Sequence, residues 1–170
     1  MCAMCDRPDL TPDDVLADVR ARISHDLFAM VSVQGSRCTA ELSYTVGLTE
    51  HGLPELVVTG QRAETATRLV RLWAGYLLDE NVVLAGEVLR SGPWLMEAVP
   101  VTRPRQHLLV ADRFYGDRLR ALQLVWADGR GRWPWEPGHR ARSAGQPVLG
   151  DRAPHYCQDH APRLDVPRHP

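Results

Sequence analysis

Residues 63–78 read AETATRLVRLWAGYLL, and this stretch has the clearest secondary-structure pattern in the chain. Its apolar side chains recur at helical spacing and form one stripe: Ala66, Leu69, Val70, Trp73, Tyr76 and Leu77. A helix with one apolar stripe buries that stripe against another layer of the protein. We therefore predict a helix over 63–78 that packs on a sheet formed by the segments before and after it.

Short apolar or alternating segments, typical of strands, lie on both sides of this helix. The clearest is 41–48, in which every second residue from Leu42 to Leu48 is apolar. The predicted strands are 28–33, 41–48, 56–59, 82–89, 95–101 and 119–126. Apolar alternation of this kind indicates a sheet with at least one buried face.

Two more helices are predicted, one near the start of the chain and one in its second half. Thr11 is typical of an N-cap, and Pro12 of a first helical residue, so the first helix covers 12–26. A short helix is expected over 105–115, after Pro104. The order of elements predicts an α+β fold with a mainly antiparallel sheet, and we expect the first two helices to cover one face of it.

The chain is predicted to form a single domain over 1–170. It divides into a lead (1–10), an α+β core (11–150) and a tail (151–170). From residue 128 onwards Trp, Pro, Gly and Arg dominate and no apolar period is visible, which predicts a long irregular C-terminal segment.

Composition excludes several classes of partner from our expectations. The 170 residues include 44% hydrophobic and 24% charged residues, and the formal net charge is -1. This balance is typical of soluble globular proteins and does not favour nucleic acid as a partner. No apolar run reaches membrane-spanning length and no secretory signal is recognisable, so we expect a cytoplasmic protein without a membrane partner.

Cysteine and histidine pairs near the two ends are the sharpest chemical signal. Cys2 and Cys5 form a Cys-x-x-Cys pair, and Cys157 and His160 form a Cys-x-x-His pair. Three thiolates and one imidazole make up the ligand set of a closed tetrahedral zinc site. The sequence thus predicts a structural zinc ion that joins the two ends of the chain, with His155 as a further imidazole nearby.

Two other interpretations of the same residues stay open. Cys2 and Cys5 could act as a redox dithiol, although several residues separate them from the N-terminus of the first helix, which would otherwise favour the thiolate. Alternatively, these cysteines and histidines are incidental residues of loose ends.

The loop after the alternating strand suggests an acid–base site. His51 lies in it, and Glu55 begins the next strand. A histidine beside a carboxylate can act as a general base, so His51 with Glu55, Asp128 or Glu136 as its partner is a candidate catalytic set. The structural alternative is a well-formed turn at His51-Gly52.

The Trp-rich loop suggests a ligand-binding surface. Trp133 and Trp135 are separated by one proline and would form a rigid aromatic platform. Tyr44, Glu136 and Gln146 complete the candidate ligand-binding residues. The structural alternative is that both tryptophans hold a long loop against the sheet.

Several of these segments resemble one known family. The stretch 44–60 (YTVGLTEHGLPELVVTG), together with the QLVWAD motif at 123–128, the WPWEPG motif at 133–138 and the QPVLG motif at 146–150, resembles domain of unknown function 4262 over roughly residues 10–150. The Cys-x-x-Cys start is similar to that of actinobacterial members. The resemblance implies a family and no activity, cofactor or site residue.

The function predicted from these features is that of a small-molecule or peptide binding or accessory domain with a structural zinc site. One alternative is a small hydrolase- or transferase-like enzyme that uses His51. The other is a thiol-redox protein that uses Cys2 and Cys5.

Overall fold

The chain forms one mixed sheet with helices on both faces. In the computed structural model the described residues are 11–36, 39–140, 145–152 and 164–165. The predicted α+β class with a mainly antiparallel sheet is confirmed.

Four α-helices lie in the described part of the chain. They are α1 (Pro12–Asp26), α2 (Ala63–Leu78), α3 (Pro104–His107) and α4 (Leu109–Tyr115), with short 3-10 turns at Leu48–His51 and Gly116–Arg118. The Thr11 side chain and the Asp14 side chain cap the start of α1 reciprocally, which is why the helix begins at Pro12. The predicted bounds of α1 and α2 agree with the structure.

The strands are β1 (Ala29–Val33), β2 (Leu42–Val46), β3 (Glu55–Thr59), β4 (Val88–Ser91), β5 (Trp94–Pro100), β6 (Ala121–Trp126) and β7 (Leu164–Asp165). Their order across the sheet is β1-β2-β3-β6-β5-β4-β7. Neighbours are antiparallel except for the parallel pairs β3–β6 and β4–β7. Among the described strands, β1 is therefore one edge of the sheet.

The two long helices lie on opposite faces of the sheet, so the expectation that both cover one face is wrong. Leu56 and Val58 of β3 belong to the core beneath α2, whereas Val57 belongs to the core beneath α1. Neighbouring residues of a strand point to opposite faces, so the fully buried β3 serves both cores. The continuous apolar run at 56–58 indicates two covered faces, but it does not indicate which helix covers which face.

Several predicted strand bounds differ from the structure by one or two residues, and two predicted elements differ more, for local reasons. The segment before Val88 is a turn rather than a strand, and Val82 and Leu84 in it are each 65% exposed. The predicted helix over 105–115 is two short helices, because Leu108 has φ -105 and ψ 66, outside the helical region. No helix among the described residues is long and apolar enough to cross a membrane.

Candidate functional site

Glu55 lies at the start of β3 and is completely buried. Its carboxylate accepts four hydrogen bonds, from the Thr45 hydroxyl at 2.6 Å, the Gly47 N–H at 3.1 Å, and the Thr49 N–H and hydroxyl at 3.0 and 2.8 Å. Burial raises the pKa of Glu55, while these hydrogen bonds oppose the rise. The arrangement makes Glu55 the anchor of the loop between β2 and β3.

Gly47 allows the chain to make this turn. Its φ is 140°, and a Cβ at this position would lie 2.6 Å from both the Leu27 carbonyl oxygen and the Phe28 Cα. Only glycine tolerates that backbone conformation and that approach. The turn aims the Gly47 N–H at Glu55, so the local sequence and the buried carboxylate act together.

His51 does not join Glu55. It lies at the end of the 3-10 turn with its side chain exposed to solvent. All of the Glu55 hydrogen bonds come from Thr45, Gly47 and Thr49. The described structure therefore contains no His51–Glu55 pair of the kind that a general base with its orienting carboxylate requires.

Asp128 follows β6 and organises the next loop. Its carboxylate accepts hydrogen bonds from the backbone N–H groups of Arg130, Arg132 and Arg140 at 2.8 to 3.0 Å. These bonds, the one from Arg132 first, lower the pKa of Asp128 to about 2. The carboxylate is thus charged at neutral pH and holds the loop that carries the two tryptophans.

Trp133 and Trp135 stack on each other instead of forming an open platform. Their rings are nearly parallel, with centroids 5.4 Å apart, and both side chains are half-buried. The exposed Glu136 side chain accepts a hydrogen bond from the Trp133 N–H at 2.7 Å. The outer face of the pair is covered in part by Arg152, whose guanidinium lies 3.9 Å from the Trp135 ring centroid.

Arg152 also makes a bidentate ion pair with Glu97 of β5. Nε and Nη2 of Arg152 lie 3.0 Å from the two carboxylate oxygens. Glu97 is buried in the middle of the sheet, and the Arg152 side chain is 29% exposed. This pair ties residue 152 and the tryptophan stack to the same face of the sheet.

Gln146 pairs with the end of β6. Its side-chain amide accepts from the Trp126 N–H and donates to the Trp126 carbonyl, both at 2.8 Å. The neighbouring Pro147 carbonyl accepts from the buried Gln123 side chain at 2.7 Å. Residues 145–150 are thus held along the sheet by two glutamine side chains, by the Thr59 hydroxyl, which donates to the Pro147 carbonyl at 2.8 Å, and by the Thr102 N–H, which donates to the Leu149 carbonyl at 2.9 Å.

A concave groove with a volume of about 1090 Å³ lies beside β1. Its floor consists of Val31 and Val33 of β1 and Leu42 and Tyr44 of β2. Its walls come from α1, from the first turns of α2, and from α3 and the start of α4. Sites that bind small ligands are typically clefts of this kind, mostly apolar with a few polar groups.

Two side chains at the groove are unusually exposed for apolar residues. Val33 is 45% exposed and Leu109, the first residue of α4, is 65% exposed. Four charged side chains also line the groove, two acidic (Asp18 and Glu64) and two basic (Arg22 and Arg68). The groove thus has an apolar surface that no described residue covers. The positive and negative charges along it are equal in number.

Tyr44 is the predicted site residue that lies in this groove. Its side chain is 1% exposed, and its hydroxyl oxygen accepts a hydrogen bond from the Val110 N–H at 3.2 Å. Val110 lies in the first turn of α4, where backbone N–H groups lack partners within the helix. Burial raises the pKa of Tyr44 to about 12, so Tyr44 is a neutral residue that joins the groove floor to its wall.

The predicted zinc ligands Cys2, Cys5, Cys157 and His160 lie outside the described residues, as do Cys38 and His155. Within the described ranges, no group of three or more His, Cys, Asp or Glu side chains could hold a metal ion. The zinc site and the redox dithiol therefore stay predictions from sequence.

Apart from Tyr44, sequence reasoning missed the groove residues, and it also missed the Glu97–Arg152 pair. A signal for Glu97 exists, because a single carboxylate interrupts the apolar run of β5 and a buried charge needs a partner. No comparable signal marks Val33 and Leu109, since exposed apolar residues are common on protein surfaces.

The chain was compared with known families, curated proteins and solved structures. No curated protein matches it, and no solved structure does. The profile of the family described as "Domain of unknown function (DUF4262)" matches residues 22–140, which is more than half of the chain and agrees with the resemblance seen in the sequence. The chain therefore belongs to the DUF4262 family.

Proposed function

We propose that this domain is a binding module that takes an uncharged, largely apolar ligand into the groove beside β1. The observation that carries the proposal is the exposure of Val33 and Leu109 at the rim of a groove of about 1090 Å³. A ligand that covers these side chains would gain about 25 cal/mol of binding free energy for every Å² of apolar surface removed from water.

The other predicted residues support a structural role more than a binding one. Glu55 and Asp128 use their carboxylates to hold loops, and Gln146 holds its segment on β6. The tryptophan pair is engaged by its own stacking and by Arg152. His51 is exposed and has no carboxylate partner among the described residues, so the arrangement gives the enzyme hypothesis no support.

The proposal predicts that an uncharged apolar dye binds at the groove. The fluorescence of Nile red should rise on addition of the protein. The double variant Val33→Thr/Leu109→Gln should bind the dye about tenfold more weakly, because two exposed apolar contacts are removed. Fluorescence titration measures both dissociation constants.

A matched control is available in the turn before β4. Val82 and Leu84 are each 65% exposed and do not line the groove. The double variant Val82→Thr/Leu84→Gln makes the same chemical changes and should bind the dye as the parent does. Equal weakening by both double variants, or no dye binding by the parent, would contradict the proposal.

We also propose, from ligand spacing alone, that a structural zinc ion joins Cys2, Cys5, Cys157 and His160. Purified protein should then contain about one zinc ion per chain. Cys157→Ser should lose most of it, whereas Cys38→Ser, outside the proposed ligand set, should keep it. Metal analysis by mass spectrometry provides the test, and equal zinc in the parent and in Cys157→Ser would refute the site.

A further inference from the structure

The backbone direction of β2 determines which groups β1 leaves free. The Gly60 N–H donates to the Glu41 carbonyl at 2.8 Å, so the backbone groups of Glu41 point towards the β3 side. Backbone groups alternate in direction along a strand, so those of Ser43 and Thr45 also point to β3. The β1–β2 register places Ser32 opposite Ser43 and Met30 opposite Thr45.

It follows that Ser32 and Met30 do not exchange backbone hydrogen bonds with β2. Side chains of such non-hydrogen-bonded pairs lie closer together than those of bonded pairs. The Ser32 and Ser43 hydroxyl oxygens, 2.9 Å apart, fit this assignment. The N–H and C=O groups of Met30 and Ser32 therefore point away from the sheet, and both residues line the groove.

A groove that offers backbone donors and acceptors beside apolar side chains has the form of a strand-addition site. We infer that the ligand of the proposed binding function is an extended peptide segment that pairs with β1 through Met30 and Ser32. Main-chain hydrogen bonds supply affinity in such complexes, and pockets for alternate side chains supply specificity. This inference rests on the proposed function and adds the class of ligand.

The charged side chains that line the groove further restrict which peptide sequences would bind. Asp18 and Arg22 form an ion pair at 2.9 Å, and Glu64 and Arg68 contribute one charge of each sign. The lining therefore has no excess charge that would select a strongly acidic or basic peptide. Apolar floor residues such as Val31 and Val33 favour a neutral segment with β-branched residues at alternate positions.

The test uses a capped peptide of alternating threonine and valine. It should bind the parent protein, as measured by isothermal titration calorimetry. The same peptide N-methylated at two consecutive central residues loses one donor on each edge and places a methyl group against β1, so it should bind about tenfold more weakly or not at all. Equal binding of both peptides would overturn the inference, because the groove would then recognise side chains alone.

A substitution in β1 tests the same contact from the protein side. Ser32→Pro removes an N–H that points away from β2, and proline is tolerated at such positions of edge strands. This variant should bind the peptide about tenfold more weakly than Ser32→Ala, which removes only the hydroxyl group and leaves the N–H in place. Should Ser32→Pro not fold, the pair of peptides on the parent protein still decides the question.

The outcomes separate the inference from the proposed function. Absence of dye binding refutes the proposed function, whereas dye binding without peptide binding refutes only the peptide. A second copy of the chain could occupy the β1 edge in place of a peptide. Analytical sedimentation of the parent protein tests this by measuring whether it is a monomer or a dimer. A dimer that Ser32→Pro dissociates would overturn the peptide inference, and a monomer in both proteins supports it.

Discussion

Replacement of Glu55 by alanine is expected to lower the free energy of unfolding by about 3 kcal/mol or more. The change removes the acceptor of four hydrogen bonds at a site with no solvent exposure. Each buried donor left without a partner costs about 1–3 kcal/mol, and the space vacated by the side chain adds to the loss. Urea denaturation followed by circular dichroism measures the change.

Glu55→Gln is the matched control, because it keeps the size and shape of the side chain. Glutamine keeps an acceptor for Gly47 and Thr49 and loses the Thr45 contact, so its loss should be less than half that of Glu55→Ala. A larger loss for Gln than for Ala would contradict the assigned role of Glu55.

The pH dependence of the Glu55 contribution has a defined sign. The pKa of Glu55 in the folded state is raised above its ordinary 4.5, first of all by burial. The folded state then holds a proton in a pH range where the unfolded chain has released it. The contribution of Glu55 to stability is complete below pH 4.5 and falls as the pH rises through the folded pKa. Relative to Glu55→Gln, the parent should therefore lose stability above pH 4.5.

Arg152→Ala is expected to lower the free energy of unfolding by about 3 kcal/mol. The substitution leaves the Glu97 carboxylate buried without its bidentate partner, and removal of one member of a buried pair typically costs about 3–5 kcal/mol. The lower end applies because Arg152 is partly exposed. The tryptophan stack loses its cation contact at the same time, so the Trp fluorescence of the native state should change.

The control for this prediction lies on the loop that carries the two tryptophans. The Arg130 side chain is exposed and makes no side-chain hydrogen bond or ion pair with another described residue, so Arg130→Ala should change stability by less than about 0.5 kcal/mol. The double variant Glu97→Gln/Arg152→Leu removes both charges and should recover part of the loss. No recovery would indicate that Arg152 stabilises the fold chiefly by another contact.

A helix or strand could be predicted where its own residues, without contacts from the rest of the fold, give a clear hydrophobic or capping pattern. The stripe in α2 and the N-cap at Thr11 defined their helices because both depend on neighbouring residues alone. The faces covered by α1 and α2 could not be predicted. Leu56, Val57 and Val58 of β3 offer apolar side chains to both faces, so only the three-dimensional arrangement assigns each helix.

The candidate site was less predictable for a related physical reason. Residues that signal chemistry by type, such as Glu55 and Asp128, are engaged by backbone and hydroxyl donors from nearby turns. The groove depends on unpaired backbone groups in β1 and on the separation of α1 from α3 and α4, neither of which is a property of residue type. Tyr44, a residue of the alternating strand, lines the groove, and its role as a ligand-binding residue stays a prediction.

Amide exchange and chemical-shift mapping by NMR test the location of the binding site most directly. With the threonine–valine peptide bound, the Met30 and Ser32 amides should shift and exchange more slowly, while the indole N–H signals of Trp133 and Trp135 stay unchanged. Shifts confined to the tryptophan loop, with β1 unaffected, would contradict the account and return the binding surface to residues 133–146.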